Sequence, residues 1–188
     1  MIAMTGGLLA ACGRIAAATP PPQNPTQAAL PSPANQAAFQ FINGAVGDDL
    51  FEIRTAQIAA TRAKAPSVKA FAILMEKDHT VSMAAFKDAT AQSGQNLTAP
   101  SGMSDKLQSM LDQLNRGQPL DFDKTYIEQQ IEAQEDALSL LSAYAQNGGV
   151  PTLKATALRF APTVQARLDQ ARAIEETLNK EPPIPART

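Results

Sequence analysis

Hydrophobic positions in this chain recur at steps of three, four and seven, the period of an α-helix, in four long stretches separated by proline and glycine. The first runs from about Asn35 to Ala63, with Phe39, Ile42, Val46, Ile53 and Ala60 marking its apolar face. Gly44 and Gly47 within it predict close helix packing or a bend. Lys64-Ala65-Pro66 ends it, because a residue before proline is disfavoured in the α region. The second opens with Pro66 in its first turn and reaches about Gln92. It carries Val68, Phe71, Met75, His79, Ser82 and Phe86 on one side, and Gly94 closes it. The third starts near Asp121 or Asp123, either of which suits a helix cap. Its stripe is Ile127, Ile131, Gln134, Leu138, Leu141 and Ala145, and Gly148-Gly149 stops it. The fourth opens at Pro151-Thr152 and places Leu153, Ala157, Phe160, Val164, Leu168, Ala171, Ile174 and Leu178 inward. Pro162 inside it removes one backbone hydrogen bond and predicts a kink, and Pro182-Pro183 ends the pattern.

The connections predict the topology. Helices one and two, and helices three and four, are joined by about three residues each, which makes each pair antiparallel. Residues 94–120 separate the pairs, enough chain to travel the length of a bundle. Within that segment Met103, Leu107, Met110, Leu111 and Leu114 form a short amphipathic helix that can cover the bundle side. The expected fold is therefore all-α: a four-helix bundle of ferritin-like topology with one long crossover carrying a short extra helix. A plain up-down-up-down bundle is the alternative.

Residues 1–11 carry no charged side chain and run into Leu9-Ala10-Ala11-Cys12, which resembles the lipobox of bacterial lipoproteins. Cys12 is then the expected lipidation site and residues 1–11 a signal-peptide remnant. No Lys or Arg precedes Arg14, so this reading places the true start upstream. Residues 12–34 read as a lipid-anchored, Pro-rich tether: six of the fourteen prolines lie between Pro20 and Pro33, and no charge occurs between Arg14 and Asp48. The bundle is expected over 35–181, with a Pro-rich tail at 182–188. The resulting address is the outer membrane, facing the periplasm.

Composition narrows the chemistry. A net charge of −2 without a basic stripe gives no case for nucleic acid. Aromatic content is 5% within a hydrophobic content of 44%, so the core is built of aliphatic residues that favour helices. One Cys excludes an internal disulfide, and one His, His79, must serve any triad or imidazole metal site. Ferritin-like di-iron sites take a Glu from each of two helices and a Glu-x-x-His pair from each of the other two. Glu76-Lys77-Asp78-His79 matches one such pair, and Glu52 lies midway along helix one. Helix four has no His, and Arg167 near its middle would oppose a cation. The expectation is no metal and no cofactor; if any metal binds, Glu52, Glu76 and His79 hold it.

Helix geometry predicts something else for these residues. Glu52 lies 13 residues before the turn near residue 65 and His79 lies 14 after it. At a rise of about 1.5 Å per residue, both sit about 20 Å from the turn. Gln134 and Arg167 are placed similarly about the turn near residue 149. A core polar cluster of Glu52, His79, Gln134 and Arg167 is therefore expected, with Arg167 paired to Glu52 or another carboxylate.

Several segments carry a resemblance. They are Phe41-Ile42 through Glu52, Ala65-Pro66-Ser67-Val68-Lys69-Ala70-Phe71-Ala72, Met75, Asp78-His79, Phe122-Asp123-Lys124-Thr125-Tyr126 and Leu153 to Ala157. Over about 36–178 the chain resembles a bacterial ferritin-like family known as predicted outer membrane proteins (domain of unknown function 4142). The resemblance implies the fold and the envelope location. It also implies a further His on helix three and another on helix four, where this chain has Gln134 and Arg167. The functional expectation is a tethered envelope lipoprotein whose bundle is a non-catalytic structural or interaction module, with an unidentified envelope protein as partner. The alternatives are a periplasmic metal-binding or redox protein using His79 and bundle carboxylates, and a carrier of an apolar ligand.

Overall fold

The computed structural model describes residues 32–117 and 121–180. The lipobox, most of the tether and the tail lie outside them. The described residues form five helices: α1 (Pro33–Arg62), α2 (Pro66–Ala91), α3 (Asp105–Arg116), α4 (Phe122–Asn147) and α5 (Pro151–Lys180). None is long and apolar enough to cross a membrane.

Each helix begins where local chemistry allows. Ser32 caps α1 by accepting from the Asn35 N–H at 3.2 Å, and Ser104 caps α3 through Leu107 N–H at 3.3 Å. Prolines open α1 and α2, where no intrahelical donor is missed. The sequence offers Asp121 or Asp123 as cap of α4, but neither does that work. Asp121 makes no side-chain cap bond. Asp123 instead accepts from the Lys64 and Ala65 N–H groups, at 3.0 and 2.7 Å, and so ties down the α1–α2 turn across the bundle end. The α5 helix runs through Pro162 without a break. Pro162 and Leu158 both lie on the exposed side, where water can satisfy the carbonyl that proline leaves free.

Helix α1 packs on α2 and α4, and α5 packs on α4 and α2, giving a square of four. The Asp123 contact puts the start of α4 beside the end of α1, and Thr152 Oγ1 donating to Ala89 O at 2.9 Å puts the start of α5 beside the end of α2. Every adjacent pair is thus antiparallel, an up-down-down-up order, and the α2–α4 connection traverses the bundle. Along it α3 covers α1 and α4, packing Met110 and Leu111 on Phe51 and Ala133. Arg62 holds the far end of α3. Its guanidinium donates to the Leu114, Asn115 and Gly117 carbonyls at 3.1, 3.1 and 2.8 Å and lies 4.5 Å over the Phe122 ring.

The apolar stripes of α2 and α5 are buried as the pattern predicts. That of α1 is buried only in part: Ile42 and Val46 are fully buried, whereas Phe39 is 49% exposed and Ile53 and Ala60 are only half-buried. The buried line is Phe41, Ala45, Asp48, Asp49, Glu52, Thr55 and Ala59. The helical period allows several stripes through α1, and the most hydrophobic one sits at its edge because the core face carries acids. Apart from the small cluster of Phe51 and Ala133 under α3, the core accordingly divides in two: one cluster around Phe41, Phe86, Tyr144 and Phe160, another around Phe71, Phe122, Tyr126 and Leu178. Polar residues occupy the level between them.

Candidate functional site: a buried polar layer

One helical turn of α1 sends three carboxylates inward: Asp48, Asp49 and Glu52, which are 8%, 2% and 0% exposed. Facing them are His79 and Ser82 from α2 and Gln130 and Gln134 from α4, all buried, while Gln129 turns to α3 and donates to Met110 O at 2.8 Å. Asp49 Oδ1 lies 2.8 Å from His79 Nδ1. The Gln134 amide nitrogen donates to Glu52 Oε1 at 3.0 Å and stands 3.2 Å from His79 Nε2. Gln130 Nε2 reaches Thr55 Oγ1 at 3.4 Å, continuing the polar line toward Tyr126. Asp49 Oδ2, Glu52 Oε2, Gln130 Oε1, Gln134 Oε1 and the Tyr126 hydroxyl have no protein partner.

Burial sets the electrostatics. It pushes the Asp48, Asp49 and Glu52 carboxyls above the usual range, and for Asp48 the Glu52 charge adds to the effect. Burial alone would lower His79. The Asp49 hydrogen bond and the Glu52, Asp49 and Asp48 charges outweigh it, lifting His79 to about 9. The Gln134 amide adapts to that charge. A neutral His79 with its proton on Nδ1 accepts from Gln134 Nε2, whereas a cationic one is met by Gln134 Oε1 after the amide turns over.

The expected cluster is thus present in part. Glu52, His79 and Gln134 meet, with the Gln134 amide bridging the other two. Arg167 does not join them. It points to the α2–α5 seam and donates to Asp78 Oδ2 from Nε and Nη2 at 2.8 and 2.5 Å, with both side chains about one-fifth exposed. Level height does not fix azimuth, and on α5 the inward positions there are Val164 and Leu168. Glu76, the expected third metal ligand, is also displaced: it lies outside the core and accepts from Gln57 Nε2 at 2.8 Å. Asp48 and Asp49 were missed. Their spacing from Glu52 by four and three residues marks one helix face and was the available signal. A ferritin-type dinuclear donor set does not fit this layer, because Glu76 is turned out of it and α5 presents only Val164 and Leu168 at this height. Among the described residues no group of three or more His, Cys, Asp or Glu could hold a metal ion with the side chains as they lie.

Residues 22–174 match the family described as Domain of unknown function (DUF4142). Two solved structures share the fold, CopM in the Cu(I)-bound form and CopM in the Cu(II)-bound form. Each is 21% identical, with TM-scores of 0.62 and 0.63, covering 75% of this chain and 96% and 97% of theirs. No curated protein matches.

Proposed function

This chain belongs to the DUF4142 family, and we propose that it is a non-catalytic helical module of the cell envelope, of ferritin-like topology, carried on a lipid-anchored tether. The observation that carries the non-catalytic part is the state of His79. The only imidazole in the chain is bonded on Nδ1 to Asp49 and faced on Nε2 by Gln134, within a layer buried between two apolar clusters. A general acid or base needs hydrogen-bond reach to a substrate atom, and both ring nitrogens are engaged. The up-down-down-up order with a traversing crossover supports the ferritin-like topology. Leu9-Ala10-Ala11-Cys12 and the proline-rich stretch that follows support the anchor and tether. The module's role is structural or is the binding of an envelope protein.

Labelled-palmitate incorporation with membrane fractionation tests this reading. The chain should incorporate label and sediment with outer membranes, and Cys12→Ala should abolish both. A wild type that stays soluble and unlabelled overturns it.

A second reading, a metal-binding bundle, is favoured by one observation: three carboxylates and the imidazole share one buried layer. CopM carries copper in the solved structures. A set of oxygen donors and one imidazole suits a single borderline or hard divalent ion better than a soft one.

A further inference from the structure

Between the four long helices, beside His79, lies a cavity of about 20 Å³, room for one atom of water size. Its polar wall is Asp48 and Asp49 from α1 with His79 and Ser82 from α2; Ala45, Phe86, Leu141 and Val164 close much of the rest. Two things at this place ask for a positive charge. Three buried carboxylates face one imidazole; Lys87 acts on Asp49 less than burial and His79 do, Arg167 is spent on Asp78, and Lys106 on Glu132 and Asp136. Asp49 Oδ2, in the cavity wall residue, and Gln134 Oε1, on the other side of the ring, are buried without partners. A neutral water would occupy the space but leave the charge uncompensated.

We infer that this cavity is the seat of one divalent ion of borderline hardness, held by Asp48, Asp49 and His79, with Ser82 or water completing its shell. The inference rests on the metal-binding reading and gives it a place. The ion replaces the proton that His79 Nδ1 shares with Asp49. That proton explains why no ligand set is preformed: Nδ1 and Oδ1 are 2.8 Å apart. Metal bonds of about 2.0–2.2 Å at a tetrahedral angle would hold them about 3.4 Å apart, an opening of about half an ångström. Metallation at Nδ1 leaves an N–H on Nε2, and a ligating imidazole donates that hydrogen to an orienting acceptor. Gln134 Oε1 becomes that acceptor when the amide turns over, while Gln130 stays beside Glu52.

The test uses the full chain with Cys12→Ala, so that its one thiol does not compete, stripped with a chelator and titrated at pH 7. Zinc(II) alone should bind at one equivalent by calorimetry, raise the thermal midpoint, and shift the His79 ring nitrogens to a pattern metallated at Nδ1 and protonated at Nε2. Asp48→Asn should weaken zinc binding at least tenfold, and Glu76→Gln should leave it unchanged. Absence of stoichiometric zinc binding overturns the inference. So does zinc binding that survives both Asp48→Asn and His79→Gln, or calcium(II) binding as tightly as zinc, which would leave the imidazole no role. If His79→Gln does not fold, the ring-nitrogen spectrum and Asp48→Asn decide. Stoichiometric zinc binding that survives Asp48→Asn and His79→Gln removes this site and keeps the metal-binding reading, whereas absence of zinc binding removes both, so the two failures are distinguishable.

Discussion

Gln134 is the residue on which the buried layer turns, because its one amide group faces both Glu52 and His79. Removing it leaves two buried polar groups without that partner, at about 1–3 kcal/mol for a lost buried hydrogen bond. Gln134→Ala should therefore lower the urea midpoint by an amount in this range, more than an exposed Gln→Ala on the same helix. Arg167 behaves differently from the expectation that it is a buried charge. Its pair with Asp78 is partly exposed, so Arg167→Ala should cost about 1 kcal/mol or less in the same measurement. The pH dependence of the layer has one sign. Asp48, Asp49, Glu52 and His79 are all shifted upward in the folded state. A group raised on folding adds stability that is complete below its unfolded value and lost as pH climbs through its folded value. For His79 that window runs from 6.5 to about 9, and for the carboxyls it opens above 3.8 to 4.5. The chelator-treated protein should melt higher at mildly acid pH than in the alkaline range, and Glu52→Gln should flatten the slope. A midpoint that rises with pH would contradict the arrangement.

Among the elements, the helix ends are tied by residues from other helices. Asp123 accepts from the first free N–H groups at the α1–α2 turn, so Asp123→Ala should destabilise by about 1 kcal/mol, as loss of an N-cap does, and should increase amide exchange at Ala65 and its neighbours. The α1 glycines separate the two reasons for glycine in a helix. At Gly44 an added Cβ would come within 2.7 Å of Leu140 Cδ2, the end of a half-buried side chain that would have to turn aside. At Gly47 the nearest atoms, Met103 Cα and Gly102 O of the crossover, would be at 3.6 and 3.7 Å, ordinary contact. Gly47→Ala should therefore stabilise by up to about 1 kcal/mol through helix propensity, read as a higher thermal midpoint. A loss of stability there would mean that the crossover packs more tightly on α1 than these distances allow.

On the scale of the whole molecule, a polar layer interrupts what is otherwise an aliphatic and aromatic core. Its carboxylates and imidazole are desolvated together, and a well-packed apolar replacement of such a set is often neutral or stabilising by about 1–4 kcal/mol. Glu52→Leu alone leaves the Gln134 amide without its acceptor and removes a charge that favours the His79 cation, so it should destabilise. Because Asp49 would be stranded by loss of His79, the apolar replacement has to include it: changing Asp49, Glu52, His79 and Gln134 together to Leu should recover most of that loss in chemical denaturation. A quadruple variant that unfolds as easily as the worst single one would show that the layer supplies net stability to the bundle.

Periodicity and punctuation in the sequence determined the number of helices, their bounds to within a few residues, the pairing of neighbours and the buried faces of α2 and α5. Those features follow from local backbone preferences and from connection length, both of which are linear in the chain. The height of Glu52, His79 and Gln134 was legible for the same reason, since rise per residue is constant along a helix. Only the tertiary structure decided rotation about each axis. It turned Phe39 outward and Asp49 inward on α1, took Arg167 to Asp78, left Glu76 at the surface and gave Asp123 to another helix's end. Azimuth is set by what the facing helices present, here the His79 ring and the α4 glutamines that accept the α1 carboxylates. That complementarity exists only once the helices are packed.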